Sequence, residues 1–104
     1  MALNFVKDYN ENMNYWKIEL IGEVDISTSS SLKESLNDIL NDRETDLKLD
    51  CKSLSYIDST GLGVLIGILK RVKKNDNNIS IVNPQTNISK LLNITGLDKI
   101  FIME

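Results

Sequence analysis

Tyr56-Ile57-Asp58-Ser59-Thr60-Gly61-Leu62-Gly63-Val64-Leu65-Ile66 sets an acid and two hydroxyls in front of two glycines, and an apolar run of helical character follows at once. A serine at such a junction sits at a helix N-terminus. Free backbone N–H groups and the helix dipole favour an anion there. The position suits a phosphate, bound or covalently attached. Downstream, Leu62, Leu65, Ile66, Leu69 and Val72 recur at helical spacing, and Val64 and Ile68 widen the stripe. A helix is expected from about Thr60 to Lys73, more buried than any other.

Upstream, Leu3 to Tyr9 reads as a short strand, and Asn10 to Asn14 as a polar turn. Tyr15 to Ile21 alternates, with Trp16, Ile18 and Leu20 on one face and Lys17 and Glu19 on the other. The two segments can pair as a hairpin, with Gly22 ending the second strand. Ser27 to Ser31 offers several N-cap candidates, and Ser31 with Glu34 fits a capping box. Leu32, Leu36, Ile39 and Leu40 then mark a helix ending near Asn41. Asp46 to Cys51 alternates as a strand, and Lys52 to Ile57 is a link into the serine segment. After the turn Asn75 to Asn78, Ile79 to Val82 forms a strand stopped at Asn83-Pro84. Ile88, Leu91 and Leu92 mark a third helix closed by Gly96, and Lys99 to Ile102 a last strand.

The order ββαβαβαβ implies an α/β domain over residues 1–104. Its mixed, mostly parallel sheet has four or five strands, with an N-terminal hairpin and three or four helices packed on it. In such sheets the functional edge lies beyond the carboxyl ends of the parallel strands. Three loops are expected to meet there: Gly22 to Ser27, Lys52 to Ser59 and Asn83 to Thr86. Asp25 and Asp58 then share an edge with Ser59.

Composition narrows the chemistry. The chain has 104 residues and no histidine, which removes the commonest general base and the commonest zinc ligand. No metal or cofactor is expected. Its one cysteine, Cys51, cannot form an internal disulfide and continues the alternation of Leu47 and Leu49 as a core residue. A net charge of −3 attracts neither nucleic acid nor an anionic membrane. The basic cluster Lys70, Arg71, Lys73 and Lys74 falls at a helix C-terminus, where cations complement the dipole. No basic, apolar leader opens the sequence. Leu62 to Leu69, its longest apolar run, falls short of the roughly 20 residues of a membrane span. A cytoplasmic location follows by elimination.

Each candidate has a plainer role. Ser59 or Thr60 can be an N-cap and nothing more. Gly61 and Gly63 can let the backbone turn and the helix pack closely. Asp25 can sit before a helix for the dipole alone, and Glu23 can be merely solvated. The functional alternative exposes the hydroxyl on a tight turn, ready for a kinase. Asp25 then contacts that hydroxyl or a partner's magnesium–nucleotide. The glycines match no nucleotide loop, since neither a Gly-Lys-Ser/Thr ending nor a Gly-x-Gly-x-x-Gly spacing is present. No base for a serine hydrolase lies near Ser59 in sequence, so no enzymatic activity is expected.

Leu20-Ile21-Gly22-Glu23-Val24-Asp25, the Tyr56 to Gly63 segment, and Lys90-Leu91-Leu92 with Thr95-Gly96-Leu97 together resemble the anti-sigma factor antagonists, single-domain members of the STAS group. The resemblance covers nearly the whole sequence. It implies a partner-switching regulator of sigma-dependent transcription. The unphosphorylated form would bind an anti-sigma factor that is itself a serine kinase and so free the sigma factor. Phosphorylation of Ser59, or less readily of Thr60, would switch binding off, and a metal-dependent serine phosphatase would reset it. The implied partner surface comprises Glu23, Asp25, Asp58, Ser59, Thr60, Gly61, Leu62 and Gly63. Two other uses remain: a structural STAS module, as in a stress-sensing scaffold or lipid-transport complex, and a nucleotide or small-molecule binder. The short sequence, with no sensory extension, favours the switch over a scaffold subunit.

Overall fold

The computed structural model describes residues 2–104. Strands β1 (Leu3–Asn10) and β2 (Tyr15–Val24) form the antiparallel hairpin, with Tyr9 opposite Trp16 and Leu3 opposite Gly22. Helix α1 (Ser29–Asp42) leads to β3 (Asp46–Asp50) and then β4 (Leu54–Ile57). Helix α2 (Ser59–Lys74), β5 (Ile79–Val82) and α3 (Thr86–Ile94) follow. A short 3-10 turn at Leu97–Lys99 precedes β6 (Ile102–Met103).

The sheet runs β1-β2-β3-β5-β6, with every pair after the hairpin parallel, and β4 also pairs with β2. It has six strands, one more than the sequence patterning gives. The sixth is β4, which lies within the segment expected to be only a link. Its four residues alternate too briefly to register as a strand. Their pairing comes from β2, which at ten residues outruns β3 and offers its second half to another strand.

Trp16, Leu47 and Ile79 lie in register across the sheet, as do Ile18, Leu49 and Ile81, and all six are buried. This face meets Leu32, Leu36, Ile39 and Leu40 of α1 and Leu62, Leu65, Ile68, Leu69 and Val72 of α2 in one continuous core, to which α3 adds Ile88 and Leu92. The opposite face carries Lys17, Lys48, Glu19 and Lys52. There Asp50, 2% exposed, lies 3.9 Å from the Lys17 ammonium and 3.8 Å from that of Lys52. Cys51 is in the core as expected, and burial, aided by the charge of Asp50, pushes its thiol up to about 12. Arg71 leaves the basic cluster altogether. Its guanidinium bonds to Glu44, to Asn37 Oδ1 at 2.7 Å and to Asn41 Oδ1 at 2.9 Å, tying α2 to the end of α1.

Three expectations at the ends of elements change. The last strand is Ile102–Met103 and not Lys99 to Ile102, because Leu97–Lys99 winds into the 3-10 turn. Gly22 does not end β2. The strand continues through a register shift between Gly22 and Glu23 to reach Val24. Gly22 takes φ +120°, and a Cβ there would stand 2.2 Å from the Ala2 carbonyl oxygen. Of the N-cap candidates Ser27 to Ser31, Thr28 takes the position, and Ser31 lies inside α1. The helix starts at Ser29, because the hydroxyl of Thr28 and the carboxylate of Asp25 organise the turn before it.

Gly22→Ala therefore meets both a left-handed backbone and a backbone clash. We expect a loss of roughly 2 kcal/mol or more in chemical denaturation, the upper end of what strained positions cost.

Candidate functional site

The parallel pairing of β2 and β4 builds the site. Val24 is in register with Ile57, and the Asp58 N–H donates to the Val24 carbonyl at 3.1 Å. The next residues on the two strands, Asp25 and Asp58, with Ser59 directly after, therefore emerge together at the same end of the sheet. Asp58 has extended backbone and caps α2: its Oδ1 accepts from the Gly61 N–H at 3.1 Å. Ser59 is the first helical residue. Its side chain and that of Thr60 are exposed and make no hydrogen bond among the described residues, and the N–H groups of both lack a protein acceptor. Two free donors at the positive end of a 16-residue helix remain beside an unengaged hydroxyl.

Gly61 sets how closely α2 approaches. A Cβ at this position would lie 2.5 Å from Val24 Cγ1 and 2.7 Å from Ile57 Cγ1. The helix start rests directly on the ends of β2 and β4 because no side chain intervenes. Gly63 has no such role. Nothing lies within 4 Å of its Cβ position, and the residue is exposed on the outer side of α2. Leu62 and Gly61 face inward and support the site from beneath.

Asp25 is committed to its own loop. Its Oδ1 accepts from the Ser27 hydroxyl at 2.6 Å, the Ser27 N–H at 2.9 Å and the Thr28 N–H at 3.2 Å. Thr28 Oγ1 accepts from the Asp25 N–H and donates to the Glu23 carbonyl, both at 2.9 Å. The Ser27 hydroxyl bond, opposed by partial desolvation and helped by the two N–H bonds, holds the Asp25 carboxyl below the ordinary 3.8. No hydrogen bond joins Asp25 to Ser59, so contact with the resting hydroxyl is absent. The carboxylate instead fixes a charge on the rim. Glu23 is not simply solvated: it is half-buried, and its Oε2 is sealed without a hydrogen-bond partner among the described residues.

The third expected loop meets the Lys52–Ser59 segment at that segment's first residues and makes no hydrogen bond to Ser59. Gln85 Nε2 donates to the Lys52 carbonyl and Asn87 Nδ2 to the Ser55 carbonyl, each at 2.9 Å. Ser55 lies on β4 between the partners of Gly22 and Glu23, so the start of α3 is held against the strand that leads to Ser59. Two residues outside the expected partner surface join the rim. Ile26, 80% exposed, stands on the loop between Asp25 and Ser27. Lys33 of α1 lines a groove with Thr60, Gly63 and Gly67 of α2. An isoleucine followed by turn residues signals its exposure only faintly, and Lys33 reaches the groove only through helix packing.

Among the described residues no cluster of acidic or cysteine side chains could hold a metal ion, and no helix is long and apolar enough to cross a membrane. What the edge presents is an accessible hydroxyl on a rigid turn, rimmed by carboxylates and one apolar side chain.

This fold and edge define a STAS domain, and the STAS family model matches residues 7–104. The chain is 36% identical over 98 residues to the anti-sigma-B factor antagonist of Bacillus subtilis, covering 94% of this chain and 89% of that protein. It is 35% identical over 83 residues to the anti-sigma-B factor antagonist of Staphylococcus aureus, covering 80% and 77%. The chain therefore belongs to the anti-sigma factor antagonists of the STAS family. Solved structures agree in fold. An anti-sigma factor antagonist from Mycobacterium paratuberculosis superposes with a TM-score of 0.80 at 20% identity, covering 98% of this chain and 85% of that one. The Bacillus cell-fate determinant SpoIIAA in its phosphorylated form gives 0.72 at 20% identity, covering 99% and 91%.

Asp58→Ala removes the cap of α2 and should cost about 1 kcal/mol in thermal or chemical denaturation without changing the fold. A depressed carboxyl stabilises above its unfolded value and loses that contribution as pH falls through the folded value. The Asp25 side-chain carbon resonance should accordingly titrate with a midpoint below 3.8, and Ser27→Ala should move it upward.

Proposed function

We propose that this protein binds an anti-sigma factor through the Asp25–Ser59 edge, and that phosphorylation of Ser59 ends the binding. The supporting observation is the exposed, unbonded hydroxyl of Ser59 at the first turn of α2. The partner is an anti-sigma factor that is also an ATP-dependent serine kinase. Docked on this edge, it frees its sigma factor to direct transcription. Ile26 supplies an apolar contact, while Asp25, Thr60 and Gly63 supply a low polar rim.

Magnitudes decide where the phosphate acts. The group adds about −2 units of charge at neutral pH. Within the folded domain it meets the free N–H groups of Ser59 and Thr60 and the positive helix end, worth roughly 0.3–1 kcal/mol. These oppose repulsion from Asp58 and Asp25, so the fold tolerates the modification. Against a docked partner the same dianion must shed water. An unpaired buried charge costs several kcal/mol, far more than the local gain. The switch therefore acts on the interface and leaves the domain folded. A metal-dependent serine phosphatase removes the phosphate and restores binding.

Incubation with the anti-sigma factor and ATP, followed by mass spectrometry, should locate phosphate on Ser59. Modification at Thr60 alone would move the acceptor. No modification, with tight nucleotide binding instead, would make this a ligand-binding module. In titrations against the anti-sigma factor, Ser59→Ala should bind as wild type does. Ser59→Asp should bind at least about tenfold more weakly, a modest effect for a charge placed in an interface. Ile26→Asp should weaken binding comparably while leaving thermal stability within about 0.5 kcal/mol, as surface changes do.

A further inference from the structure

The opposite end of α2 carries a second surface that the Ser59 edge does not involve. Ile66, Leu69 and Ile100 form the floor of a groove of about 740 Å³. Its rim is Lys70, Lys73, Lys74 and Lys99. Its lining contains no acidic residue. Among the described residues none of the four ammoniums makes an ion pair. Lys73 reaches only Asn78 Oδ1, while the nearby Arg71 is fully engaged by Glu44, Asn37 and Asn41. Asp98, next to Lys99 in sequence, accepts from Asn93 on another side of the 3-10 turn.

Dipole complementarity accounts for cations in the last turn of α2. It does not account for Lys99, which arrives from a separate element, nor for the exposure of Ile100 at the base of the ring. The four lysines thus concentrate positive charge around an aliphatic floor in a chain whose net charge is −3.

We propose that this groove docks an acidic amphipathic helix of a partner protein, its aliphatic residues on the floor and its carboxylates on the lysine rim. Charge complementarity and groove shape select this occupant. A single-stranded nucleic acid would want aromatic platforms, and the floor has none. The net negative charge also repels a polyanion at long range. The same net charge disfavours an anionic lipid surface. Lys70 stands ~16 Å along the helix from Ser59 at 1.5 Å per residue, so both ends of α2 can be occupied together.

The test uses the full chain, labelled with nitrogen-15, and a helical peptide with leucines on one face flanked by glutamates. Saturable amide shifts are expected at residues 66–74 and 97–101, weakening as salt rises. The double variant Lys70→Glu/Lys99→Glu should lower affinity by about tenfold or more, as reversed rim charges do. Ser59→Asp should bind the peptide unchanged, which separates this groove from the phosphate-sensitive edge. The proposal is overturned if the peptide produces no saturable shifts. It is equally overturned if a peptide with lysines replacing the glutamates binds as well. Tighter binding of oligouridine or phosphatidylglycerol vesicles at the same lysines would assign the groove to nucleic acid or membrane instead.

Discussion

The whole site depends on one backbone pairing: the last residues of β2 run parallel to β4, and the Asp58 N–H closes that pairing on the Val24 carbonyl. Without it, the chain after Val24 and the chain before Ser59 would leave the sheet at unrelated places. Two glycines make it possible. Gly22 lets β2 change register beside the backbone of Ala2 and continue past the end of β3. Gly61 lets α2 settle onto the side chains of Val24 and Ile57 with no Cβ between them. The acidic rim follows, since Asp25 and Asp58 are simply the next residues on two paired strands.

The division of labour among the polar groups is equally physical. Asp58 satisfies one orphan N–H of α2, and Asp25 satisfies two in the turn before α1. Both carboxylates are thereby held still. A fixed pair of negative charges tolerates a neighbouring hydroxyl and resists a neighbouring phosphate. A flexible pair would swing away and blunt the difference. In the proposed switch, the same rigidity would let an added anion be read at an interface while the core beneath, from Trp16 to Leu92, remains intact.

Much of this was legible in the residues themselves. The alternation of Trp16, Ile18 and Leu20 and the helical spacing of Leu62, Leu65 and Leu69 fixed element type and facing, because both register burial on one side. Strand β4 escaped because its pairing is a property of β2's excess length, not of its own four residues. Gly22 looks like a terminator in sequence because its role depends on Ala2, twenty residues away. Gly61 and Gly63 look alike in sequence, yet one touches the core and the other touches nothing. The rim residues Ile26 and Lys33 carried no local pattern, and the charge on Lys99 joined the α2 lysines only through folding.

The central claim is that an anion at residue 59 alters what can dock and leaves the domain as it is. Amide hydrogen exchange on the protein phosphorylated at Ser59 tests it most directly. Protection should be unchanged through β2, β4 and the body of α2, with differences confined to the amides of residues 59–62. Lost protection along the β2–β4 pair, or throughout α2, would mean that the phosphate dismantles the site, contradicting the account.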